Sequence, residues 1–196
     1  MRNAHQLDLE STGVLLLAKN KTVFVALANL FGSEKPLRTY VALVQGSPRL
    51  DRFEISARLA PHPTLADAIR VDNQRGKRAT TQFEVSEKYT SHALLNCHAA
   101  TDRPHQVRAH LSHAGLPIVG DALYGGGPLL LSRLKPGYRL KEGHTELPLI
   151  SNPALHAESL NLVHPVTCAP LGIHAPWPKT ITVAVKYLRR YAVANS

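Results

Sequence analysis

The sequence predicts an α+β fold, a mainly antiparallel mixed sheet with flanking helices. Three observations carry that expectation. Residues 77–89, KRATTQFEVSEKY, place Ala79, Thr81, Phe83 and Val85 in alternation, as a half-buried strand requires. The HALLNCHAAT stretch that follows reads as its antiparallel neighbour. Two other stretches, residues 20–31 and 104–115, instead carry apolar side chains at helical spacing. No repeat, low-complexity tract or second core interrupts residues 1–196, which are therefore expected to form one domain.

The elements follow in chain order. GVLLLAK (13–19) is an apolar run short enough for a strand buried on both faces. Asn20 is placed to cap a helix with Phe24, Leu27, Ala28 and Phe31 on its inner side, and GSEKP ends it. LRTYVALVQG is a strand with Tyr40, Ala42 and Val44 on one face and Thr39, Val41 and Leu43 on the other. Residues 58–76, marked by APHP and NQRG, suggest loop or edge structure.

Pro104 opens and Gly115 closes a short helix with Val107, Leu111 and Ala114 on one side. His105, Arg108 and Ser112 share the opposite side. Residues 125–153, with three consecutive glycines, suggest a long surface excursion. Residues 154–178 read as strand, turn and strand. KTITVAVKYLRRYAVA reads as a C-terminal helix with Val185, Leu188 and Tyr191 or Ala192 inward, although its Ile, Thr and Val content also suits a strand.

Composition narrows the function. Lys and Arg number 23 against 14 acids, a net charge of +9 spread along the chain, which favours a polyanionic partner held by salt-sensitive attraction to phosphate. Cys97 and Cys168 form no CxxC pair, so neither a disulfide framework nor a cysteine zinc site is supported and a reducing compartment follows. No run reaches the roughly 20 apolar residues of a membrane span, and the N-terminus lacks the apolar core of a signal peptide, so a cytoplasmic location is expected. His105, His110 and His113 cluster in sequence, but no acidic or cysteine ligand accompanies them, and no metal is expected.

In HQLDLESTG (5–13) an acid, Asp8, lies between Leu7 and Leu9. One reading makes Asp8 and Glu10 turn residues, with Ser11 or Thr12 bonding nearby backbone groups. Another follows from resemblance. HQLDLESTG, LRTYVALVQG, TDRPHQVRAHLSHAGLPIVGDALYG and LHAESLNLVHP resemble, in order, four motifs of the RluA-type RNA pseudouridine synthases, and GKRATTQFEV resembles a weaker element between the second and third.

That resemblance implies a pseudouridine synthase catalytic domain acting on rRNA or tRNA, with no cofactor, as a monomer. It implies Asp8 as a nucleophile at the end of a rigid strand, Tyr40 as a ring that stacks on an extruded base or handles a proton, and Arg108 as a guanidinium paired with Asp8. Gln6, Arg38, Arg78, Arg103 and His105 are the expected RNA contacts. Many relatives carry arginine at the position of Gln6, and Asp102 replaces their usual glycine. Because the chain begins four residues before the first motif, an N-terminally shortened domain without a separate RNA-binding module is expected. The alternative class is a non-catalytic RNA-binding or ribosome-assembly protein on the same scaffold. Glycoside hydrolysis would need a second acid opposite Asp8, and no partner is evident.

Overall fold

A computed structural model describes residues 1–33 and 36–194. Its ten strands are β1 (Arg2–Asn3), β2 (Thr12–Gly13), β3 (Leu17–Ala18), β4 (Leu37–Gln45), β5 (Arg52–Pro61), β6 (Ile69–Val71), β7 (Lys77–Lys88), β8 (His92–Ala99), β9 (Leu155–Val163) and β10 (Pro170–His174). The helices are α1 (Lys21–Ser33), α2 (Gln106–His113), α3 (Leu131–Leu134) and α4 (Lys179–Tyr191), with one 3-10 turn at Ala122–Tyr124. The main sheet runs β10-β9-β4-β8-β7-β5-β6. All these neighbours are antiparallel, and β2 adds a parallel pairing to β9. The expected α+β class with a mainly antiparallel mixed sheet is what the chain forms.

The middle of the sheet is buried because its strands are apolar on both faces. Val41, Ala42, Leu43 and Val44 of β4, with Ala93, Leu94 and Leu95 of β8, have at most 1% of their surface exposed. Ile181, Ala184, Val185 and Leu188 of α4 join the same core, so the C-terminal segment is helical despite its β-branched residues. The α1 helix starts as expected, with the Asn20 side chain accepting the Val23 N–H at 2.9 Å, a cap of about 1 kcal/mol. Its inner side packs Leu27 and Phe31 on Leu160 and Leu162 of β9, but Ala28 faces solvent. Part of the GSEKP turn, Glu34 and Lys35, lies outside the described residues.

Three expectations are corrected. GVLLLAK is not one buried strand: it is split between β2 and β3, and Leu15 and Leu17 are exposed. Gly13 explains the break. Its φ of +127° and the backbone of Ala157, pressed where a Cβ would stand, turn the chain away from β9, and β3 then pairs with β1 in a separate ribbon. Residues 58–61 are the end of the ten-residue strand β5, whose Phe53, Ile55, Ala57 and Leu59 do alternate, while the rest of the stretch is loop and the edge strand β6, as expected. The excursion 125–153 is not merely surface, since Leu129, Leu134 and Ile150 enter the main core. Among the described residues no helix is long and apolar enough to cross a membrane.

Candidate active site

Asp8 lies in the loop between β1 and β2, not at the end of a strand as expected; the preceding strand is only two residues long. Side chains on both sides pin that loop. The Leu16 N–H donates to His5 Nε2 at 3.1 Å, and the His5 ring rests against Phe31 with centroids 5.0 Å apart. The Ser11 N–H closes a turn on the Asp8 carbonyl at 3.0 Å, with Glu10 at φ 67°. Beyond the turn, the Thr12 hydroxyl and His156 Nδ1 are 2.8 Å apart, and His156 Nε2 lies 3.1 Å from the Ala175 carbonyl. A carbonyl only accepts, so Nε2 carries a proton. His156 of the LHA motif thus ties the Asp8 loop to β9.

The second wall comes from the start of α2. His105, at the helix N-cap, adopts the left-handed φ of 50°, and its backbone N–H donates to Asp8 Oδ1 at 3.4 Å. This conformation costs a non-glycine residue of order 1 kcal/mol and aims an otherwise unused helix N–H at the carboxylate. Burial raises the Asp8 pKa above its ordinary value, against the opposing pull of His105 and Arg108. Tyr40 sits on β4 between Cys97 and Ala157, where the register with β9 shifts. Such a bulge re-aims a side chain, and Tyr40 lines the same cleft as Asp8. Burial also raises its phenol, so the ring is neutral at ordinary pH.

Arg108 does not make the expected direct pair with Asp8. Its Nε and Nη2 each donate at 2.7 Å to the carboxylate of Asp121, and its guanidinium lies 4.8 Å from the Tyr124 ring centroid. Asp121 is fully buried, and an unpaired carboxylate there would be prohibitively costly, so it claims the nearest cation. Arg108 reaches Asp8 only through its field. The expected polar side of α2 is turned onto Tyr124: Arg108 is buried against its ring, His105 Nδ1 is 3.0 Å from its hydroxyl, and the Ser112 hydroxyl donates to its carbonyl at 2.9 Å.

The cleft is about 460 Å³, within the range of small-ligand sites, and is lined by Gln6, Asp8, Tyr40, Arg103, His105 and Val107 among others. Of the expected RNA contacts, Gln6 stands exposed at its rim, and Arg103 and His105 form its wall. Arg38 is not available to phosphate: it is buried over Phe31 and paired with Asp102 at 2.9 Å. Asp102, in place of the usual glycine, supplies that partner. Arg78 is exposed on β7 and lines a different, shallow depression with Arg58, while its carbonyl accepts the Arg103 Nε–H at 3.1 Å.

Sequence reasoning assigned no role to Asp121 or Tyr124. The signal for both was the GDALYG segment, where one acid stands among apolar and small residues. Behind the cleft the Thr101 hydroxyl donates to Gln106 Oε1 at 2.6 Å, and Gln106 Nε2 donates to the Thr81 hydroxyl at 2.9 Å. The Thr81 hydroxyl is in turn 2.9 Å from His110 Nδ1. These buried polar residues of the HQVRAH stretch therefore hold α2 on the sheet. Among the described residues no group of three or more His, Cys, Asp or Glu is arranged to hold a metal ion.

The pinned acid, the partly buried aromatic and the helix start that closes the cleft line one enclosed site. The chain belongs to the RNA pseudouridylate synthase family, whose family model matches residues 1–113. It is 33% identical, over 94% of its length and 54% of the relative's, to ribosomal large subunit pseudouridine synthase D of Xylella fastidiosa. Against the Escherichia coli K12 protein of the same name the identity is 29%, over 94% and 55% of the two chains. The chain thus spans about half the length of these curated relatives. Among solved structures, human RNA pseudouridylate synthase domain containing 4 matches with a TM-score of 0.71 at 22% identity, covering 96% of this chain and 76% of that one. Human RNA pseudouridylate synthase domain containing 1 matches with a TM-score of 0.68, also at 22% identity, covering 99% and 82%. At that identity these two likenesses speak for the fold alone.

Proposed function

We propose that this chain isomerises uridine to pseudouridine in structured RNA, ribosomal or transfer, with Asp8 as the nucleophile. The observation that carries the reading is the placement of the Asp8 carboxylate in a cleft of about 460 Å³ that the neutral ring of Tyr40 also lines. The reaction breaks the N1–C1′ bond, turns the uracil and joins C5 to C1′; N1 gains a proton and C5 loses one. A carboxylate serves by attacking C1′ and departing when the new bond forms, or by taking a proton from C2′ and returning it there once C5 has joined C1′. Both routes need the ionised form.

The remaining residues have matching work. A uridine extruded from its stack loses aromatic contact, which Tyr40 replaces. Because burial keeps its phenol protonated, stacking suits this environment better than proton abstraction. The names of the curated relatives favour a ribosomal target, and the +9 charge supports an RNA partner.

Transcripts carrying tritium at uridine C5 test this directly, since the C5 proton must leave. Tritium release by the wild type, abolished in Asp8→Asn with RNA affinity retained, is the expected result. Retained release in Asp8→Asn would remove Asp8 as nucleophile. Salt-sensitive RNA binding without any release is the signature of a non-catalytic RNA-binding protein.

A further inference from the structure

The Tyr124 hydroxyl occupies an unusual junction. It accepts the backbone N–H of Ile69, the first residue of β6, at 2.9 Å, and it lies 3.0 Å from His105 Nδ1. Its ring is buried against Arg108, and its carbonyl is held by Ser112, so the phenol has little freedom to move. A hydroxyl has one proton. The oxygen keeps a second acceptor site, so the geometry allows either direction; His105 Nδ1 is the protein acceptor at hand for the phenol's own proton, and giving it that proton leaves Nδ1 as the unprotonated ring nitrogen. Nε2 therefore carries the hydrogen, and it has no protein partner among the described residues, while the ring lines the cleft that holds Asp8. The same histidine supplies, from its left-handed backbone, the N–H that reaches Asp8 Oδ1.

We infer that Tyr124 is a positioning residue: it fixes His105 as the neutral Nε2–H tautomer, a hydrogen-bond donor to an oxygen of the bound RNA, and holds the turn whose backbone N–H orients Asp8. This rests on the reading of Asp8 as nucleophile only for its kinetic consequence. The tautomer rests on the phenol donating to Nδ1, the direction that gives its proton a protein acceptor. Burial lowers the His105 pKa, which agrees with a neutral ring. The charged groups facing His105 and Asp8 are Arg108 and Asp121 from behind and, toward His105, Asp67 of the β5–β6 loop; Arg108 and Asp121 neutralise each other. A donor that is not a cation can select for an oxygen acceptor without displacing Arg108 from Asp121.

The test has two arms. In the first, long-range nitrogen–proton NMR of the RNA-free wild type reads the His105 ring: an unprotonated Nδ1 and a protonated Nε2 are expected, and the opposite tautomer overturns the inference whatever the enzyme does. In the second, Tyr124→Phe keeps the ring against Arg108 and deletes the hydroxyl. The His105 tautomer should become mixed, and kcat should fall about tenfold, the scale of one hydrogen bond, with KM for RNA little changed. The acid limb of the kcat profile should move to higher pH, because the bond from His105 is one of the influences that keep the Asp8 pKa down. A purely structural tyrosine would lower Tm yet leave tautomer and pH profile unmoved, and that outcome also overturns the inference. Should Tyr124→Phe fail to fold, the wild-type ring nitrogens still decide the matter. Absence of tritium release with the expected tautomer would instead count against the proposed activity.

Discussion

Arg108 and Asp121 form a buried two-pronged ion pair, with both N–H to carboxylate distances 2.7 Å and neither side chain more than 5% exposed. The guanidinium is therefore spoken for by another acid, and its influence on Asp8 is electrostatic. Asp121→Asn leaves a buried cation without its counter-charge, which typically costs about 3–5 kcal/mol. At roughly 2–4 °C per kcal/mol for a domain of this size, Tm should fall by about 10 °C. Replacing both partners together, Arg108→Met with Asp121→Leu, should be less destabilising than Asp121→Asn while restoring no activity. Thermal melts of the single and double variants check both statements.

Arg108→Lys keeps the charge but cannot reproduce the planar fork. Turnover should drop by about tenfold or more with a fall in Tm, while the salt dependence of RNA binding stays nearly constant, since this residue touches no phosphate. Single-turnover rates and filter binding at two salt concentrations separate these effects.

Asp8→Asn should abolish turnover and raise Tm near neutral pH. Burial raises the folded-state pKa of Asp8 above the unfolded value of 3.8, so the ionised carboxylate destabilises the fold at any pH above that raised value. As the pH falls through the raised value the cost shrinks, and below 3.8 it is gone. The Tm advantage of Asp8→Asn over wild type should shrink with it. An equal or lower Tm for the variant at neutral pH would show that Asp8 is not held at a cost.

Tyr40→Ala should lose about 5- to 150-fold in turnover, the equivalent of roughly 1–3 kcal/mol of base stacking. Tyr40→Phe retains the ring and should lose much less. A comparable loss in both would assign the phenol to proton transfer instead.

His110 is fully buried and neutral, with its pKa lowered to about 4 from 6.5 by burial. A histidine depressed in the folded state stabilises above its unfolded pKa, and that contribution is lost as the pH falls from 6.5 toward about 4. The loss amounts to about 3 kcal/mol at 1.36 kcal/mol per unit. Denaturant titrations across this window should show a shallower decline in His110→Gln than in the wild type. His5, His92 and His105, also lowered by burial, act in the same direction and leave a residual slope.

Much of this molecule is decided by local sequence. The alternation of Ala79, Thr81 and Phe83, the apolar LRTYVALVQ strand, the Asn20 cap and the Val107–Leu111 spacing each specify an element by short-range pattern, and each formed as expected. Asp8 and Tyr40 stood out through the resemblance of their stretches to a known family's motifs rather than through local pattern, and both line one cleft. What tertiary structure decided was pairing. Whether GVLLLAK continued as a strand depended on Gly13 meeting the backbone of Ala157, 144 residues away, and whether Arg38 was free depended on Asp102 coming beside it. Arg108 had two acids to choose from, Asp8 and Asp121. Desolvation settles that choice, because the fully buried carboxylate loses most without a cation and the cleft-facing one still meets water. Burial is a property of the folded surface, and no spacing along the chain encodes it.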